Sequence, residues 1–139
     1  VAKAHRVVHQ WRCCIDWTEK DVWEIIRRHR VNPHPCYRAG WNRCSCMMCI
    51  FSAPKHMAGI RELFPDDYAA LRHDEEVLNF TVDNKYNLDD YIGEAESCVN
   101  HKDPDAIRSL VTGTFEEDVY VKEWDYPAGA FHGAEGGSC

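Results

Sequence analysis

The sequence predicts a mainly helical domain with little sheet of its own. Two observations predict it. Apolar residues recur at helical spacing behind recognisable N-terminal caps in several segments, and prolines or glycines punctuate the gaps between them. Only one late segment, 117–125, alternates enough to be a strand or an extended arm.

The elements follow in order. "HRVVHQWR" (5–12) reads as extended, because Val7 and Val8 favour β conformation. "DWTEKDVWEIIRRHR" (16–30) is the clearest helix. Thr18 is a good N-cap, and Asp21, three residues on, sits in a capping-box position. Val22, Ile25, Ile26 and His29 share its expected inner face. "VNPHPCYRAGW" (31–41) holds two prolines and a glycine, so the helix must stop and the chain must turn. A second helix is expected over 54–64, with Met57, Ile60, Leu63 and Phe64 inward. A third is expected over 65–80, where Pro65, Asp66 and Asp67 suit a first turn. Asn87 caps a short helix over 87–95, and another starts near Asp103 with Gly113 as its stop. The last fourteen residues carry four glycines and read as a loose tail. The expected organisation is one helical, cysteine-bearing domain over 1–125 and a tail over 126–139.

A chain of 139 residues with 45% hydrophobic and 12% aromatic content can bury a core. The net charge of −7 argues against nucleic acid or an anionic membrane as a direct partner. Arg27, Arg28, Arg30, Arg38 and Arg43 nevertheless make the region around the cysteines basic, which suits a small anionic ligand better than a long polyanion. No stretch approaches the length of a membrane-spanning helix, and the first residues lack an apolar signal core. With clustered cysteines, these features point to reduced thiols and a cytoplasmic setting rather than to disulfides. The chain does not begin with Met, so a processed chain or part of something longer is expected.

"NRCSCMMCIFS" (42–52) is the most chemically specific stretch. Cys44, Cys46 and Cys49 fall within six positions, and Cys36 precedes Cys44 by eight. Cys46-Met47-Met48-Cys49 is a C-x-x-C, which is half of a zinc or iron–sulfur site. Cys36 and Cys44 are the nearest thiols to complete it, His34 is a nitrogen option, and Cys13, Cys14 and Cys98 could arrive through the fold. Two other readings stand beside this one. The stretch could pack as small apolar residues, or Cys46 and Cys49 could form a redox dithiol. Cys13 and Cys14 read first as packing residues, and Cys139 as an exposed terminal thiol. No zincin, nucleophile-elbow or Walker motif is present, and no catalytic residue is identified.

Taken together, "WRCCIDWTEKDVWEII" and "NPHPCYRAGWNRCSCMMCIF" resemble the C-terminal part of the phosphoadenosine-phosphosulfate (PAPS) reductase family, in its phage and bacterial PAPS reductase-like branch. Ile15, Asp16, Trp17, Thr18, Asp21, Val22, Trp23, Pro35, Tyr37, Gly40, Trp41, Cys46 and Cys49 carry the pattern in order. The resemblance implies that the chain is the helical, cysteine-bearing portion of an α/β adenine-nucleotide α-hydrolase-like protein acting in sulfur metabolism as an oxidoreductase. Only Cys46 and Cys49 match the family's ligand positions. It implies zinc or a [4Fe–4S] cluster there. Trp41 and Arg43 would face a sulfonucleotide or other adenine nucleotide, although Arg43 reads equally as a solvated loop residue. The family's Ser-Gly-Gly-x-Asp-Ser-type nucleotide loop is absent from these residues, so an N-terminal half or a partner subunit would have to supply that pocket. The family's Glu-Cys-Gly-x-His motif is absent too: the chain ends Glu135-Gly136-Gly137-Ser138-Cys139. These absences favour a second expectation, a non-catalytic, metal-stabilised module in a phage or DNA-modification assembly.

Overall fold

The computed structural model describes residues 9–132. Six helices run in order: α1 (Glu19–Arg28), α2 (Pro35–Arg38), α3 (Pro54–Leu63), α4 (Pro65–Leu78), α5 (Leu88–Ile92) and α6 (Pro104–Thr112). No named strand occurs among the described residues. The expected mainly helical class is what the chain adopts. Among these residues no helix is long and apolar enough to cross a membrane.

Local chemistry sets most boundaries. The Thr18 hydroxyl accepts from the Asp21 amide at 3.2 Å, and the Asp21 carboxylate accepts from the Thr18 amide at 2.8 Å. This closes the expected capping box and satisfies two amides that the helix itself cannot. Asn87 caps α5 by accepting from the Asp90 amide, and Asp103 caps α6 by accepting from the Ala106 amide. α4 ends at Asn79 and α6 at Gly113, both in the left-handed region at φ 48° and 67°.

α3 is the spine, with a hydrophobic cluster on each side. Met57 and Ala58 pack with Tyr68, Leu88 and Ile92 of α4 and α5. Ile60 packs instead with Ala39, Trp41 and Ala106, flanked by Cys36, Cys98 and Leu110. Met48 touches both clusters. The buried Glu75 carboxylate accepts from the amides of Val82 and Leu88 at 2.8 and 2.9 Å, and so fastens the loop between α4 and α5.

Three expectations need correction. The buried residue of α1 is Trp23, whose ring meets Tyr37 edge-on at 5.3 Å. Of the expected face, Ile25 and Ile26 are half-buried, whereas Val22 and His29 are exposed. The helix lies at the rim, where one aromatic wall covers it, so the contact chooses the face rather than the stripe. The turn over 31–41 contains a helical turn, α2, started by Pro35 at its first position. The segment 126–132 is not loose: Pro127, Gly129 and Ala130 are buried. The Gly129 amide donates to the Tyr37 carbonyl at 2.8 Å, and a Cβ on Gly129 would fall 1.9 Å from the Trp41 carbonyl oxygen, which only glycine avoids. The remainder of the expected tail, with Cys139, and the start of the expected extended segment lie outside the described residues.

The alternating segment 117–125 is an arm. One antiparallel bridge joins Val31 to Tyr120. The Asn32 amide donates to the Val119 carbonyl at 2.8 Å, and Val121 to Arg30 at 2.9 Å. The Trp124 indole donates to the Val31 carbonyl at 2.7 Å, pinning the arm beside α2.

Candidate metal centre

The site grows out of the turn that the prolines impose. His34 is the N-cap of α2, and its Nδ1 accepts the Cys36 amide at 3.2 Å. Trp41 donates its amide back to the Cys36 carbonyl at 2.9 Å. Gly40, at φ 113°, lies so close to Cys98 that a Cβ would fall 1.9 Å from its carbonyl oxygen. The chain is thereby reversed, and the Cys44 amide donates to the Tyr37 hydroxyl at 3.3 Å. That bond holds Cys44 over α2.

The outcome is a group of three potential ligands. The donor atoms of His34, Cys36 and Cys44 all lie within 4.8 Å of one another. Burial pushes the Cys36 thiol well above its ordinary range, and the adjacent Cys44 sulfur adds to the effect. The amides of Tyr37 and Cys36 pull the other way. Without a cation Cys36 is therefore a neutral thiol, and a bound cation would favour its thiolate. Two sulfurs and an imidazole nitrogen are a donor set that zinc accepts. Four donors around a tetrahedral zinc stand about 3.5–3.8 Å apart, so this group, whose atoms lie within 4.8 Å, would draw in by up to about 1 Å to seat an ion. The group could hold a metal such as zinc.

The other cysteines lie elsewhere. Cys46 is exposed and Cys49 half-buried, and neither belongs to the group. The Arg43 guanidinium donates to the Cys49 sulfur at 3.7 Å. Cys13 and Cys14 are exposed, with their sulfurs 3.6 Å apart, and the Cys13 contact raises the Cys14 thiol. Cys98 belongs to the packing around Trp41 and Ile60, where burial pushes its thiol up to about 12. Trp41, expected to face a nucleotide, is 9% exposed and packs into the core against Gly59. Its ring is a wall of the domain.

Arg38 has a role that charge counting hid. Its guanidinium makes two bonds to Asp103, at 2.7 and 2.9 Å, another to Asn32 at 3.2 Å, and one to Glu117. The Arg38 hydrogen bond lowers the Asp103 carboxyl below its usual range against partial burial. At Glu117 burial is the largest influence and acts upward, but bonds from Arg38 and Asn32 outweigh it and leave the carboxyl lowered. Arg27 likewise pairs with Glu24 at 2.6 Å. The basic stretch is thus partly consumed by internal ion pairs. The only sequence signal for the Arg38 clamp was the acidic cap at Asp103.

These features define a helical cysteine-bearing domain in which a proline-started turn gathers thiols and an imidazole. Residues 4–52, which include His34, Cys36, Cys44, Cys46 and Cys49, match the family model described as phosphoadenosine phosphosulfate reductase domain. Over that segment the chain is similar to this family, in line with the resemblance that its motifs carry. A similar protein is one described as an uncharacterized 37.8 kDa protein in gpa 5'region, from Escherichia phage 186. It is 31% identical over 71 residues, which are 51% of this chain and 21% of that protein. The match thus spans about a fifth of that relative's length. No solved structure matches the chain.

Proposed function

We propose that the chain is the cysteine-bearing part of a PAPS reductase-like protein that handles sulfonucleotide or other adenylyl-linked sulfur chemistry. The observation that carries this reading is that the family-matched segment 4–52 contains both the His34, Cys36, Cys44 group and the C-x-x-C with Arg43 against Cys49. The nucleotide pocket comes from the rest of a longer protein or from a partner subunit; the greater length of the phage relative supports this. Arg43 then offsets sulfate or phosphate charge at the edge of that pocket, since a guanidinium pairs well with such anions.

The test uses the longest natural protein that contains the chain. Adenosine phosphosulfates should bind it, and Arg43→Ala should weaken binding about tenfold, or roughly 1.4 kcal/mol. Calorimetry reads the affinity, and sulfite release reads turnover. No nucleotide binding, together with an unchanged Arg43→Ala protein, would leave the alternative of a metal-stabilised, non-catalytic module. The absence of a phosphate-binding loop from these residues supports that second reading.

A further inference from the structure

We infer that His34, Cys36 and Cys44 hold a single zinc-class divalent ion, separate from the C-x-x-C, and that this ion locks α2 as the hub of the domain's second half. The inference deepens the metal part of the function proposed above. Cys36 and Cys44 are not positions that the family pattern carries, so the site follows from this chain's own geometry.

The ligand set selects a single ion. An iron–sulfur cluster is held by several thiolates, usually four cysteines. Here two thiols and one imidazole converge within 4.8 Å, and among the described residues the group stops at three. Three protein donors leave one coordination position of a tetrahedral zinc without a protein ligand. Cys46 and Cys49 stay outside the group, with Arg43 on the Cys49 sulfur.

The hub role follows from what the single turn of α2 touches. The Tyr37 hydroxyl accepts Cys44, its carbonyl accepts Gly129, and its ring meets Trp23. Arg38 ties α6 and the arm through Asp103 and Glu117. The Arg38 and Ala39 carbonyls accept from the Asn100 side chain and amide at 2.9 and 2.8 Å. An ion fixed to Cys36 therefore restrains the turn whose next three residues, Tyr37, Arg38 and Ala39, make these ties.

His34 makes the coupling specific. Its Nδ1 now accepts the Cys36 amide, so in the neutral ring the proton sits on Nε2. Ligation through Nδ1 uses the same lone pair. Ligation through Nε2 moves the proton to Nδ1, which then cannot accept. Either way the ion replaces the cap as the link between His34 and the start of α2.

The experiment is a Co²⁺ titration of the full chain, read by thiolate-to-metal absorption, with hydrogen exchange on the ion-free and loaded forms. One Co²⁺ should bind per chain. Cys36→Ser and Cys44→Ser should each weaken it on the order of a hundredfold. His34→Asn keeps a side chain able to cap α2 and should still weaken binding at least about tenfold. Cys46→Ser and Cys49→Ser should leave the affinity within about threefold. Loading should slow exchange at the Asn32 and Val121 amides, which join the arm to its neighbour. If binding survives Cys36→Ser and Cys44→Ser but is lost in Cys46→Ser or Cys49→Ser, the inference is overturned while the family's C-x-x-C site stands. Absence of any thiolate-bound Co²⁺ on folded protein also overturns it. A protein that loads metal as described but binds no adenosine phosphosulfate keeps this inference and loses the sulfonucleotide reading.

Discussion

The two sides of α3 are built by different means. On one side α4 and α5 close over Met57, Tyr68, Leu88 and Ile92, which is ordinary apolar packing between neighbouring helices. On the other side α2, α6 and the arm meet through ion pairs, carbonyl contacts and cysteines as well as an apolar cluster around Trp41. The first side draws on elements close in sequence. The second draws together residues such as Arg38 and Glu117 that lie 79 positions apart. The candidate metal ligands lie on the side where polar ties add to the apolar packing.

This contrast can be broken one side at a time. Met57→Ala should cost the most, about 3 kcal/mol, because the residue is 2% exposed and leaves a cavity. Urea denaturation reads the loss, and metal affinity should stay within about twofold. Arg38→Met should cost about 2 kcal/mol by leaving Asp103 and Glu117 as unpaired, partly buried carboxylates. Unlike Met57→Ala, it should also speed exchange of the arm amides. Thr18→Ala should cost about 1 kcal/mol through the lost capping box of α1, with no effect on the arm.

Acidity sharpens the same comparison. The folded-state carboxyls of Asp103 and Glu117 are lowered below their ordinary values. A lowered carboxyl gives stability that is present above its unfolded value and lost as pH falls through the folded one. The second side should therefore lose stability on acidification, beginning below about pH 4. Arg38→Met should flatten that limb of a stability–pH curve. An unchanged acid limb in Arg38→Met would mean that the clamp contributes nothing.

Legibility in the sequence divides along the same line. Thr18, Asn87, Asp103 and the prolines at 54, 65 and 104 announce helix starts, because capping is settled within three or four residues. The inner face of α1 was not legible, since Tyr37 chooses Trp23 from fourteen positions away. α2 was hidden because one helical turn among prolines gives no periodic signal. The members of the His34, Cys36 and Cys44 group were each visible as candidates, but their convergence was not. Sequence proximity favours Cys46 and Cys49, whereas the reversal at Gly40 and the Tyr37 hydroxyl bring Cys44 back to Cys36. The packing of the Trp41 ring against Gly59 was not legible, because nothing local announces that Gly59 leaves room for it.

The central claim concerns which atoms surround the ion. X-ray absorption at the zinc edge of zinc-loaded protein measures that directly. The expected shell holds two sulfurs at about 2.3 Å and one imidazole nitrogen at about 2.0 Å, with a further light scatterer completing the coordination. A shell of four sulfurs, or one that loses its sulfur only in the Cys46→Ser and Cys49→Ser proteins, would contradict it.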